Sequence, residues 1–249
     1  ELHENGYGML ICDSCNDEEI EKKNLQFLLS RKVDGILVFA VSLNGKFLKA
    51  AERADVPVVL LDRAFRDEEF DCVEIDNRAA MLRAVNKLIS YGHRRIALVA
   101  SNIEYTGMER MKGFDDALEY AGITVPESYR VCGKHSFELG YKGMRSLLRL
   151  PEPPTAVILG NYDTTLGGIM AVNESGFTCP GDISILGFDD LLMSKVIRPK
   201  LWFVAQPMEA MAKKAVEMLL NRISRQEEGS PLRISFSAGI SEGDSIRRL

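Results

Sequence analysis

Residues able to hold a polar ligand recur in this chain at one kind of place, just past an apolar run that reads as a β-strand. Asp62 follows residues 57–61, Asp76 follows 73–75, His135 follows 129–132, Asn161 follows 156–159 and Asp189 follows 183–186. Arg110 sits near the start of the helix that comes after the run 95–100. Arginine offers a planar fork of donors, aspartate offers acceptors and asparagine offers both. Together they suit a polar, neutral ligand with several hydroxyls or ring heteroatoms. Phe65, Phe137, Tyr162 and Phe188 lie close by in sequence and could supply faces for a sugar or base ring. Each polar residue also has a plainer reading as a cap, a turn residue or a solvated side chain. The coincidence across several strand ends favours a site, because open α/β sheets bind ligands beyond the carboxyl ends of their strands.

Catalytic signatures do not accompany this set. Ser184 lacks a G-x-S-x-G elbow,. The chain has no G-x-x-x-x-G-K-[ST] phosphate loop, and residues 160–168 contain glycines without the G-x-G-x-x-G spacing,. Asp189 and Asp190 are adjacent, so in extended backbone they point to opposite faces and make a poor metal pair. Cys12 and Cys15 form a C-x-x-C pair, but no second pair or paired histidines complete a zinc site, and no helix clearly starts at Cys12,. They read as two small residues at a strand end. Neither an enzyme nor a metal or cofactor is expected.

The elements that must position these residues alternate along the chain. Strands are expected at 8–12, 33–39, 57–61, 73–75, 95–100, 129–132, 156–159 and 183–186, with closing strands at 233–236 and 243–247. Helices are expected from Asn16 or Asp17 to about 29, then over 47–54, 79–90, 139–150 and 208–223, with others between 100 and 129 and from 160 to about 175. The first should bury Ile20, Leu25, Phe27, Leu28 and Leu29, and the last should bury Met208, Met211, Ala215, Met218 and Leu219,. Continuous apolar strands between amphipathic helices indicate an α/β fold with parallel sheet covered on both faces. The βα units before about Asp76 recur after it, a coarse duplication.

With 249 residues, 46% of them hydrophobic, the chain has ample core for one large or two smaller domains,. A net charge of −5 argues against nonspecific binding of nucleic acid or membrane by this segment,. Five cysteines, irregularly spaced, do not form a secreted disulfide framework,. No apolar run is long enough to span a bilayer, and no signal peptide is visible. Residues 1–6 read as the last turn of a helix closing on Gly6, so the chain looks cut at its N-terminus,.

Several segments, in this order and spacing, resemble the effector-binding domain of the LacI/GalR-type bacterial transcription regulators. They are residues 91–97 (YGHRRIA), 110–114 (RMKGF), 154–157 leading to Asn161, 179–190 (CPGDISILGFDD), and the pairs Asp62-Arg63 and Asp76-Asn77. The resemblance covers nearly the whole chain. It implies two Rossmann-like parallel-sheet subdomains of the type I periplasmic-binding-protein kind, joined by three crossovers, with a small molecule in the cleft. The first would hold residues 1–75 and 207–236, the second 76–206 and 237–249. It implies a cytoplasmic homodimer that binds operator DNA through an N-terminal helix-turn-helix, a module missing from this sequence. A small-molecule effector, a sugar or sugar phosphate first, would alter operator affinity. By motif position the ligand-contacting residues are Asp62, Arg110, His135, Asn161 and Asp189. Arg110 is expected to be exposed in the cleft, so that its removal would leave the fold intact. The family's first strand and most of its first helix are also missing here. A periplasmic sugar-binding protein is the second reading, sharing fold and cleft but not the DNA module; free cysteines and the segment 92–97 favour the regulator.

Overall fold

The computed structural model describes residues 2–65, 69–189, 196–226 and 229–249. The chain divides into two compact units. Unit 1 holds Glu1–Ile75 and Pro207–Phe236, and unit 2 holds Asp76–Gln206 and Ser237–Leu249, so the chain passes between them three times. Each unit has its own sheet, and both sheets are mostly parallel, as the apolar strands require,.

Unit 1 is built on a four-stranded parallel sheet in the order β1-β2-β3-β9, with β1 at Ile36–Val38, β2 at Val58–Leu61, β3 at Asp71–Ile75 and β9 at Arg233–Phe236. β2 and β3 are buried along their whole length. The helix α1, Glu18–Ser30, starts where Asp17 accepts hydrogen bonds from the backbone of Glu19 and Ile20,. Of the five apolar residues expected inward on α1, Leu25 is buried, whereas Ile20 and Phe27 are exposed. The short α2, Lys49–Arg53, leads into β2. The long α7, Met208–Ile223, packs on β1, β2 and β3 through Met211, Ala215, Met218 and Leu219, leaving Met208 exposed. Arg222 near its end grips the buried Asp71 of β3 with two hydrogen bonds, at 2.7 and 2.9 Å.

One expected strand does not form. Residues 8–12 join no ladder among the described residues, and Met9, Leu10 and Ile11 are exposed. The run has strand composition, but a strand exists only where a neighbour takes up its backbone groups. Here β1 is the edge of the sheet.

Unit 2 carries six strands in the order β10-β8-β7-β6-β4-β5. These are β4 at Ile96–Ser101, β5 at Arg130–Gly133, β6 at Ala156–Leu159, β7 at Ser184–Phe188, β8 at Trp202–Ala205 and β10 at Gly239–Ser241. All pairs are parallel except β10 with β8. Helices α3, Asn77–Ser90, and α4, Tyr105–Tyr120, pack together; so do α5, Phe137–Leu148, and α6, Tyr162–Asn173. The α5–α6 pair meets at glycines. A Cβ on Gly140 would overlap the backbone of Thr164, and one on Gly167 would overlap that of Phe137.

Near the end of unit 2, β8 is a strand where none was marked from the sequence, and the closing strand lies at Gly239–Ser241 instead of the expected 243–247. The latter segment is held alongside the sheet by the Ser245 side chain together with backbone bonds. The Ser245 hydroxyl donates to the carbonyl of Ile185 and accepts from the amide of Trp202, while the Ile185 amide donates to the carbonyl of Ser245.

His93 belongs to this framework rather than to a site. It is fully buried, with Nε2 3.0 Å from the carbonyl of Arg247 and Nδ1 2.9 Å from the Thr155 hydroxyl. A carbonyl can only accept, so Nε2 carries the proton and Nδ1 accepts from Thr155. Burial, the largest cause, lowers the pKa of His93 below its ordinary value. The unfolded chain therefore binds this proton more readily, and stability falls as pH drops below about 6.5 towards the lowered folded value. Urea unfolding at pH 7.5 and 5.5 should show wild type losing stability relative to His93→Gln on acidification, by at most about 1.4 kcal/mol per pH unit. Parallel pH profiles of the two proteins would contradict this assignment.

Candidate ligand-binding site

Four of the five candidate residues gather on unit 2, whose adjacent strands β7, β6, β4 and β5 present their carboxyl ends side by side. β5 lies on one side of β4, while β6 and β7 lie on the other. The order reverses between β4 and β6, and such a switch point leaves a crevice between diverging loops.

Arg110, in the second turn of α4, spans this point. Its Nε donates to Asn77 Oδ1 at 2.8 Å and its Nη1 donates to the carbonyl of Gly160 at 2.6 Å. The guanidinium carbon stands 3.5 Å from the centroid of the Phe188 ring. Gly160 follows β6, and its lack of a side chain lets the backbone come close, since a Cβ there would press on Ala100 at 2.7 Å. Arg110 is 2% exposed. The expectation of an exposed residue with little packing to lose is thereby overturned, because one guanidinium joins α4 to the ends of α3, β6 and β7.

His135 follows β5, with its side chain 7% exposed. Its Nε2 accepts from the Ser101 amide at 3.0 Å, and Nδ1 lies 2.5 Å from Glu104 Oε2. The accepting nitrogen carries no proton, so Nδ1 is the donor to Glu104. Both ring nitrogens are engaged inside the protein. Asn161 caps α6: its Oδ1 accepts from the Thr164 amide at 3.0 Å, and the Thr164 hydroxyl accepts from the Asn161 amide at 3.0 Å,. That arrangement fixes the side chain through its Oδ1.

Asp189 ends β7 in the left-handed region, φ 72°, which aspartate adopts more readily than most residues,. Its amide donates to the carbonyl of Val204 on β8, and its Oδ1 accepts from Gln206 Nε2 at 2.6 Å. Asp190 lies outside the described residues. Asp62 repeats the pattern in unit 1. It ends β2 with φ 69°, its amide donates to the carbonyl of Val73 on β3, and its Oδ2 lies 3.9 Å from Arg63 Nε. Asp76 is a cap for α3, accepting from the Ala79 amide at 2.8 Å.

The aromatic residues divide. Phe188 is fully buried with Arg110 on its face, and Phe65 is buried in unit 1 between Phe47 and Phe70, so neither offers a ring to a ligand. Phe137 is 41% exposed and stacked on Tyr141, and Tyr162 is half-buried at the start of α6. Asn77 and Gln206 orient Arg110 and Asp189; the sequence marked Asn77 only as half of the Asp76-Asn77 pair and gave Gln206 no role.

Three cavities lie in unit 1 and contain none of the five candidates. One of about 830 Å³ is lined by Lys32, Asp55, Arg222 and Arg225; another of about 400 Å³ is lined by Ile11, Leu37, Phe39 and Arg63; a third is lined by Tyr7, Lys213 and Asn221. Among the described residues no group of three or more His, Cys, Asp or Glu side chains is placed to hold a metal ion. Cys15 is exposed, and the charge of Asp13 raises its thiol pKa.

Because Arg110 is buried on an aromatic face with two hydrogen bonds, Arg110→Met is expected to lower the stability of the protein by about 2–3 kcal/mol, the scale of hydrogen bonds to charged groups. Urea denaturation measures this. A change within about 0.5 kcal/mol, the range of surface substitutions, would show that the buried guanidinium is not part of the framework.

Residues 85–246 match the family model described as a periplasmic binding protein-like domain. The chain is 30% identical over 224 residues to the ribose operon repressor of Escherichia coli K12, covering 89% of this chain and 68% of the relative. It is 33% identical over 230 residues to the HTH-type transcriptional repressor CytR of the same organism, covering 92% and 67%. Among solved structures it is similar to a sugar-binding transcriptional regulator of the LacI family from Escherichia coli complexed with phosphate, with a TM-score of 0.85, 26% identity, and coverage of 99% of this chain and 89% of the other. With two mostly parallel sheets, polar strand ends and repressors as relatives, the chain belongs to the periplasmic binding protein-like family and is homologous to its LacI-type transcriptional repressors.

Proposed function

We propose that this chain is the effector-sensing part of a LacI-type transcriptional regulator, and that its effector is a sugar or sugar phosphate. The observation that carries the reading is the placing of Asp189, Asn161 and His135 past the ends of β7, β6 and β5, with Arg110 on the helix after β4 at the switch point. A fixed guanidinium, a carboxylate and an amide at this spacing meet the alternating donors and acceptors of a polyhydroxyl ring. Asp62 is the fifth candidate. The family's repressors support the regulator over a transport protein. No helix among the described residues is long and apolar enough to cross a membrane. In this reading the protein works in the cytoplasm without catalysis, as a homodimer whose operator contacts lie in a separate DNA-binding module. The effector shifts operator affinity only by its difference in affinity for the two states.

A thermal-shift panel of D-ribose, ribose 5-phosphate, a disaccharide, a nucleoside and a purine base tests the class of ligand. A true effector at about 100 times its dissociation constant adds roughly 2.7 kcal/mol of stability. In calorimetry with that compound, Asp189→Ala should weaken binding by about 1.5–3 kcal/mol. Stabilisation by the purine base alone would move the proposal away from sugars, and unchanged affinity in a folded Asp189→Ala protein would remove Asp189 from the site.

The homodimer has its own test. Sedimentation of the protein with its DNA-binding module is expected to show a dimer with an isologous interface. Monomer alone at high concentration rules it out.

A further inference from the structure

The three passages between the units fall at residues 75/76, 206/207 and 236/237. On the unit 2 side, each is anchored by a side-chain hydrogen bond. Asn77, two residues past the first passage, accepts from Arg110 Nε at 2.8 Å. Gln206, the last residue before the second, donates to Asp189 Oδ1 at 2.6 Å. Ala238, two residues past the third, accepts at its carbonyl from Arg83 Nη2 at 3.0 Å. Two of the three anchors are thus residues assigned to ligand binding, and the third is not.

The local backbone strengthens both links. Asn77 is buried as the first residue of α3, so a shift of its side chain carries the start of that helix with it. Gln206 precedes Pro207, and proline restricts the residue before it to extended conformations. Asp189 is tied twice to the strand that runs into this passage, by its amide to Val204 and by its carboxylate to Gln206. A ligand hydroxyl that donates to Asp189 competes with Gln206 for the carboxylate, and a ligand oxygen that draws on Arg110 changes its hold on Asn77.

We propose that Asn77 and Gln206 are positioning residues that make the conformation of the first two passages depend on occupancy of Arg110 and Asp189, with the Arg83–Ala238 anchor as a fixed third support. The inference rests on the ligand role given above to Arg110 and Asp189. Because coupling between two groups is reciprocal, it is measurable from either end and in the absence of ligand.

Hydrogen exchange read by mass spectrometry provides two arms. Without ligand, Asp189→Ala is expected to speed exchange of amides at 204–209 by about tenfold, the effect of losing one hydrogen bond to a charged group. Exchange in β4 and β6 should be unaltered. Arg83→Met, the control, should act only around 237–240. Exchange at 204–209 within about twofold of wild type in Asp189→Ala overturns the linkage whatever the ligand proves to be.

The second arm uses D-ribose as the probe, with calorimetry on the same samples. Wild type with sugar bound should change exchange at both 75–80 and 204–209. Gln206→Leu should still bind the sugar but lose the change at 204–209 while keeping that at 75–80. A response at 204–209 that survives Gln206→Leu overturns the role of Gln206, which a merely structural residue would not alter in this selective way. If D-ribose does not bind, that outcome counts against the sugar proposal, and the first arm still decides the coupling.

Discussion

A guanidinium held out of water must be paid for by close and well-directed partners, and at Arg110 those partners define how unit 2 is assembled. The charge lies against the face of Phe188 on β7, donates to Asn77 at the start of α3 and donates to the carbonyl after β6. Removing a charge from water costs several kcal/mol unless hydrogen bonds and polarisable faces replace the solvent. The cation–π contact is worth more in such a desolvated place than at a surface. Gly160 is small enough for its carbonyl to come within reach, and β4 and β6 are adjacent because the sheet reverses its order there. The same feature that places a crevice at the strand ends thus also places a fixed donor beside it.

Most candidate residues are held by the fold itself. Asn161 uses Oδ1 for the cap of α6. His135 is locked by Ser101 and Glu104, so its orientation is set before any ligand arrives. Asp189 and Asp62 share a left-handed backbone at a strand end and a hydrogen bond from the backbone amide to the next strand, one in each unit. Groups fixed in this way lose little freedom on binding, which favours affinity and selectivity. They also restrict substitution, since a change meant for the ligand alters a cap or a strand end as well.

Legibility in the sequence followed the physics of each element. Buried parallel strands such as β2, β6 and β7 announce themselves as unbroken apolar runs, and the caps at Asp17, Asp76 and Asn161 follow from short polar side chains before helical periodicity. Residues 8–12 have the same composition as a strand, yet pairing depends on a neighbour whose presence no local pattern reveals. Residues 243–247 form no ladder, because the Ser245 hydroxyl takes up the Ile185 carbonyl and the Trp202 amide. The strand-end positions of Asn161 and Asp189 and the place of Arg110 early in a helix were readable, whereas the burial of Arg110 was not. Helical periodicity shows which way a residue points, and only the packed structure shows that Phe188 rises to cover it. The pair Asp76-Asn77 was legible as a motif, but the roles of Asn77 and Gln206 were not, because they are defined by partners 33 and 17 residues away.

Arg110 and Phe188 act as one unit at the switch point. A double-mutant cycle measures this directly: urea unfolding of wild type, Arg110→Met, Phe188→Leu and the double variant. The contact at 3.5 Å in a buried setting predicts a coupling energy of about 1–2 kcal/mol, the range for desolvated cation–π pairs,. Additive effects, with a coupling below about 0.3 kcal/mol, would contradict the account and leave Arg110 and Phe188 as independent neighbours.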